Sequence, residues 1–278
     1  MLAGLKRHPL ILFFLLTYLF SWTVWGTSIA QANGKLSFHI PQMLAFWGLI
    51  FATYIAAAVT GGWTAVKETF SRVYRWKIDF KWYGVAIFLT LVLGFVTLFL
   101  FSLSSGKHQI GRDLSFQGFL IFSLTETIFM IFTEETAWRG FALPRLQVDH
   151  SALSASLILG LLWGLWHIPL FLIPGSVQQS YPFIGFILLI LPTSVLFTWV
   201  FNHTRGSVLL TGLFHGLYDA TIVYLGILTG DVRLFWFFVV ISWTFAIGVA
   251  RFEGAAHLTY EWESGETTVR LEPVSPQS

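Results

Sequence analysis

Seven ionisable side chains stand in or beside long apolar stretches of this sequence, in three groups: Glu126, Glu134, Glu135 and Arg139; His167; His215 and Asp219. An ionisable group inside a membrane span costs several kcal/mol unless it is paired or hydrated, so each is a functional candidate. On a helix, Glu135 and Arg139 stand at i and i+4 with the acid first, the favourable order for an ion pair. Glu134 is then turned about 100° away and is not paired by Arg139. One carboxylate is assigned to structure and its neighbour is left free for chemistry. Trp163 and His167 share a face at i and i+4, as do His215 and Asp219. The last two suit a mutual hydrogen bond, a catalytic pair or two ligands of one metal. Glu126 reads as an internal polar contact without assigned chemistry.

A carboxylate and imidazoles without a strong nucleophile point to an activated water. Other ways of cutting a peptide inside a membrane fail on motif. There is no His-Glu-x-x-His helix and no Gly-x-Ser-Gly nucleophile, and Leu228-Thr229-Gly230-Asp231 lacks the first glycine of Gly-x-Gly-Asp. With no cysteine, the chain has no thiolate nucleophile, disulfide framework or cysteine zinc site. His167, His215 and Asp219 suffice in type and number for zinc with one open position, with Glu134 as general base. Ligands paired at i and i+4 carry no signature as tight as His-Glu-x-x-His. The expectation is therefore a site without a cofactor, with zinc as the alternative.

The elements that position these groups are membrane spans. Only 11% of the 278 residues are charged, against about 25% in a soluble domain, and mean hydropathy is +0.72. The content of 13 Trp and 29 Phe excludes disorder. A net charge of +2 is too small for a nucleic-acid partner. A span needs roughly 20 apolar residues. Eight runs qualify: Leu10–Ser28, Gln42–Thr60, Trp82–Leu103, Leu114–Phe132, Ala152–Ile173, Pro182–Asn202, Val208–Leu228 and Leu234–Ala250. They are uniformly apolar rather than alternating, which predicts helices and not outer-membrane strands. The expected fold is all-α: about eight transmembrane helices in one bundle over residues 1–251, then a polar tail over 252–278. That tail is read as disordered, with a small hairpin turn at Glu263-Ser264-Gly265-Glu266 as the alternative. Lys6-Arg7, an apolar run and Ala30-Gln31-Ala32 resemble a signal peptide, but the run is long for one, so a retained first span is expected.

Basic residues set the orientation. With the N-terminus in the cytoplasm, only Lys35, Lys107, Arg112 and Arg233 fall outside, leaving twelve of the sixteen Lys and Arg inside. Both termini are expected to be cytoplasmic in a plasma-membrane protein. At the helical rise, His215 and Asp219 then lie roughly 12–18 Å from the cytoplasmic face and His167 about 18–22 Å. Glu134 is expected to be shallow, with Gly140 and Pro144 ending its helix at the surface. All four groups fall in the cytoplasmic half, within a few helical turns in depth.

Three motifs together resemble the CPBP (Abi) family of type II CAAX prenyl endopeptidases and bacteriocin-processing or immunity proteins. Glu134-Glu135-x-x-x-Arg139-Gly140, followed by Leu143-Pro144-Arg145-Leu146, resembles the family's Glu-Glu-x-x-x-Arg motif. Trp163-x-x-x-His167 stands for Phe-x-x-x-His, and His215-x-x-x-Asp219 for His-x-x-x-Asn or Asp. The core of the resemblance runs from about residue 116 to 224. It implies an eight-helix bundle with a cavity open to the cytoplasm, and hydrolysis of peptide bonds within the membrane. It further implies that Glu134 and His167 activate water, that His215 and Asp219 stabilise the oxyanion, and that Glu135 and Arg139 hold the first motif. The best-known members carry Asn at the last position, and an ionised Asp219 cannot donate to an oxyanion as an amide does. The implied partners are the lipid bilayer and a membrane-associated peptide or protein substrate. The alternatives are a non-catalytic immunity or sorting factor of the same fold, and a small transporter, which internal repeats or broken helices would mark.

Overall fold

Inside a bilayer, backbone N–H and C=O groups must satisfy one another, and a run of Leu, Ile, Phe and Val does so as a helix. The computed structural model describes residues 8–105, 115–228 and 230–259, and these residues contain no strand. The long helices are α1 (Pro9–Ala32), α2 (Trp47–Ser71), α3 (Phe80–Ser105), α4 (Phe116–Met130), α6 (Ala152–Trp166), α7 (Phe183–His203), α8 (Val208–Tyr224) and α9 (Val232–Phe252); a short α5 covers Leu143–Asp149. Seven helical segments of the described residues are long and apolar enough to cross a membrane, and α8, with 17 residues, is an eighth, shorter apolar helix. Large apolar side chains such as Leu19, Phe88, Phe99, Leu103 and Ile184 are exposed on the outer surface, where only lipid tails suit them. The protein is an all-α, multi-pass membrane protein.

Two expected spans are corrected. The second extends past Thr60 to Tyr74. Its axis breaks at Gly62, whose φ of 63° and ψ of −159° suit only glycine. The fourth does not stop near Phe132. Helical backbone continues from Phe116 to Asp149 through two wide π turns, Ile131–Glu135 and Trp138–Ala142. Gly140 and Pro144 are buried within it and do not end it at a surface. Pro144 cannot donate to residue 140 and would clash with its carbonyl in a regular helix. The second π turn falls immediately before it and places it in the first turn of α5. Glu134 therefore lies near the middle of a 34-residue helical run and not at a helix end.

Within the bundle α4 packs on α8, α6 on α7, α1 on α2, α7 on α9 and α3 on α8. Helices α4 and α8 approach closely at Gly216. A Cβ added at Gly216 would overlap the backbone nitrogen and hydroxyl of Thr127 and lie 2.6 Å from its Cα. Serine hydroxyls start three of the helices: Ser115, Ser151 and Ser207 accept from the N–H of Gly118, Ser154 and Leu210. Helix α1 belongs to the core: Phe13 and Trp25 are fully buried, against Trp138 and Trp166 respectively. At the other end of the chain, residues 254–259 are not loose. The N–H groups of Ala152 and Leu153 donate to the carbonyls of Ala256 and Ala255, Asn202 Nδ2 donates to His257 O at 2.7 Å, and Leu258 is buried. The α6 N-terminus is thereby satisfied by the folded-back chain. The expected turn at 263–266 lies outside the described residues.

Candidate active site

The two π turns present Glu134, Glu135 and Arg139; the end of α6 presents His167; α8 presents His215 and Asp219. Glu135 and Arg139 form the expected pair, with Arg139 Nη1 donating to Glu135 Oε1 at 2.9 Å and neither side chain exposed. The Arg139 guanidinium lies between the rings of Trp163 and Phe197, at 4.5 and 4.6 Å from their centroids. Such stacking suits a weakly hydrated planar cation.

Among the described residues Arg139 is ion-paired with Glu135 and not with Glu134, but Glu134 is not free. Its Oε2 accepts from Trp138 Nε1 at 3.1 Å and from Trp163 Nε1 at 2.5 Å. His167 closes α6, where Pro169 follows in a 3₁₀ turn, Ile168–Leu172. Its Nδ1 lies 2.9 Å from the carbonyl of Trp163. A carbonyl only accepts, so Nδ1 carries the hydrogen and, in the neutral ring, Nε2 keeps the lone pair. Trp166 and Phe186 pack edge-on to the imidazole.

His215 and Asp219 do not form the mutual hydrogen bond considered for them. Nε2 of His215 is 3.6 Å from Asp219 Oδ2, an ion-pair separation. The hydrogen bond of the ring is from Nδ1 to Glu135 Oε1, at 2.8 Å. Glu135 thus ties the first motif to the third as well as pairing Arg139. Asp219 is the most open of these groups, its side chain 26% exposed, while Glu134 and His215 are 3% exposed and His167 9%. Glu126 stands higher on α4, within electrostatic reach of His215 and Glu134.

The zinc alternative can be tested on these donors. Among the described residues, no three His, Asp or Glu side chains converge as ligands of one metal. With His167 Nδ1 engaged by a carbonyl and His215 Nδ1 by Glu135, the Nε2 atoms are the ones a metal would use; as arranged, the three side chains do not gather around one ion.

Two contacts were open to sequence reasoning and passed over. Trp138 is four residues after Glu134, the same spacing that identified Arg139 for Glu135. Trp163 enters the sequence reading as the aromatic of its motif and the face-mate of His167, although indole, unlike phenyl, also carries a donor. The Glu135–His215 bond joins residues 80 apart, and no spacing rule reaches it.

The helical fold and the buried centre define a multi-pass membrane protein with a carboxylate–imidazole site inside the bundle. Residues 116–221 match the family model described as type II CAAX prenyl endopeptidase Rce1-like. That segment supplies every residue of the centre. Over 248 residues the chain is 27% identical to CAAX prenyl protease 2 of Methanococcus maripaludis, covering 84% of this chain and 90% of that protein. The chain is thus similar to type II CAAX prenyl endopeptidases, over its central segment by the family model and over most of its length by this relative.

Proposed function

We propose that this protein hydrolyses peptide bonds of membrane-associated peptides with a water activated by Glu134 and His167. One observation carries the reading. Glu134, His167 and His215, from three separate segments, meet around Trp163: its N–H reaches Glu134, its carbonyl reaches His167, and its ring meets His215 edge-on at 5.5 Å. Water held between Glu134 and His167 Nε2 gives a proton to Glu134 as its oxygen bonds to the substrate carbonyl carbon. His215, with both ring nitrogens protonated, donates Nδ1–H to Glu135 and offers Nε2–H to the oxyanion. Asp219 orients that edge of the ring. When the tetrahedral intermediate collapses, the C–N bond breaks and the proton held by Glu134 passes to the leaving nitrogen. The products are a carboxylate and an amine, and no metal takes part.

The name of the Methanococcus maripaludis relative makes prenylated CAAX-like peptides the first substrate class to try. The basic loops favour both termini in the cytoplasm, and on this reading the protein sits in the plasma membrane and cuts near that face. The test is a comparison of peptides released by cells carrying the native protein with those released by cells carrying Glu134→Ala. The reading requires products present only with the native chain. Identical peptide sets would overturn it.

A further inference from the structure

Glu134 has two oxygens, and the water can use either unless the protein chooses. Both indole donors fall on the same one: Trp138 Nε1 at 3.1 Å and Trp163 Nε1 at 2.5 Å both reach Oε2. Indole N–H is a donor only. A carboxylate oxygen offers two lone pairs in its plane, and here each has a donor. A proton on Oε2 would confront two N–H groups, so the oxygen able to take one is Oε1.

We infer that Trp163 and Trp138 are positioning residues that fix Oε1 of Glu134 as the base, and that Trp163 sets both proton acceptors of the proposed water. This rests on the reading of Glu134 as the base. The second acceptor is His167 Nε2, which keeps its lone pair because Nδ1–H is spent on the Trp163 carbonyl. One residue thus aims a carboxylate through its side chain and an imidazole through its backbone. Trp163 is 4% exposed and Trp138 fully buried, so neither meets substrate. Their donors act only through Glu134. Phenylalanine at 163, the residue of the motif that this segment resembles, would keep the packing on Arg139 but lose the hydrogen bond. Trp166 is the internal control. It is also fully buried, packs on Trp138 and His167, and its Nε1 has no hydrogen-bond partner among the described residues.

Two measurements test this on the full chain. The first is spectroscopic and needs no substrate. In protein labelled with nitrogen-15 at the indoles, Glu134→Gln should move the Trp138 and Trp163 N–H resonances upfield and leave that of Trp166 in place. Resonances that do not move, or that move together with Trp166, overturn the clamp. The second is kinetic, with a farnesylated CAAX reporter peptide in detergent micelles. Trp163→Phe and Trp138→Phe should each lower kcat about tenfold, with KM held within about twofold, since a charge-assisted hydrogen bond is lost at the base and not at the substrate. Trp166→Phe should show no such split. A native kcat in Trp163→Phe beside an inactive Glu134→Gln rejects the positioning role and leaves the proposed function standing. An active Glu134→Gln rejects the proposed function itself, and the indole spectrum still decides the clamp. If Trp163→Phe fails to fold, the spectrum and Trp138→Phe carry the test.

Discussion

Replacing Gly216 by alanine should damage the site by parting two helices, without touching a site residue. The added methyl overlaps the Thr127 nitrogen and hydroxyl and stands 2.6 Å from the Thr127 Cα. Two of these atoms are backbone and cannot rotate away, so α4 must retreat by about 1 Å to restore van der Waals distance. Helix α4 leads directly into Glu135, and α8 carries His215. A retreat of that size takes their 2.8 Å hydrogen bond past the limit of a useful one. Overpacking costs about 1–3 kcal/mol and a lost charge-assisted hydrogen bond about 1.5–3 kcal/mol. Alanine returns about 1 kcal/mol of helix propensity. The net loss is roughly 2–5 kcal/mol, which corresponds to a fall in Tm of about 5–15 °C. The assay is thermal unfolding of purified protein in detergent, read as loss of the monodisperse size-exclusion peak and paired with peptide hydrolysis. Gly248→Ala on α9 is the control, since its Cβ would meet nothing within 4 Å among the described residues, and it should match the native protein or exceed it. A Gly216→Ala variant as stable and as active as Gly248→Ala would refute the argument that this glycine sets the α4–α8 distance.

Glu135→Gln leaves Arg139 buried without its counter-charge, a loss of about 3–5 kcal/mol; its Tm should fall well below that of Glu134→Gln, and equal values would contradict the division of labour between the two carboxylates. Asp219→Asn should keep or raise activity, because an amide supplies a donor beside the oxyanion, and the native protein should resist chelators. A chelated protein revived by zinc, together with an inactive Asp219→Asn, would instead establish a metal enzyme. Lys77→Cys introduces the sole thiol of a chain without cysteine at an exposed site. It should resist an impermeant thiol reagent in intact cells, and ready labelling would reverse the orientation.

The bundle was legible because membrane spans announce themselves by length and apolarity, independently of how they pack. The Glu135–Arg139 pair was legible because helical spacing puts it on one face, and it persists through two π turns. Those turns were not legible, since a π turn has no composition of its own. Missing them placed Glu134 at a helix end near the surface, when the wide turns carry the helix past Gly140 and Pro144 to Asp149. The resemblance grouped Glu134, His167, His215 and Asp219, but not the wiring among them. His215 is bonded by a glutamate assigned to Arg139 alone, and Glu134 by two tryptophans valued for their rings. Both misses have one cause: in a bundle, the partner of a polar group is usually on another helix, and a single sequence records only neighbours within one.

The central claim is that Glu134 is the base, while Glu135 and the tryptophans hold the site. The most direct measurement is hydrolysis of a membrane-associated reporter peptide by purified native protein and by Glu134→Gln, with Tm taken on the same samples. The account predicts equal Tm within a few degrees, as expected for a substitution that keeps the side chain's shape. It also predicts loss of cleavage by at least about a hundredfold, the contribution of a general base. Native-rate cleavage by a Glu134→Gln protein of native stability would contradict it.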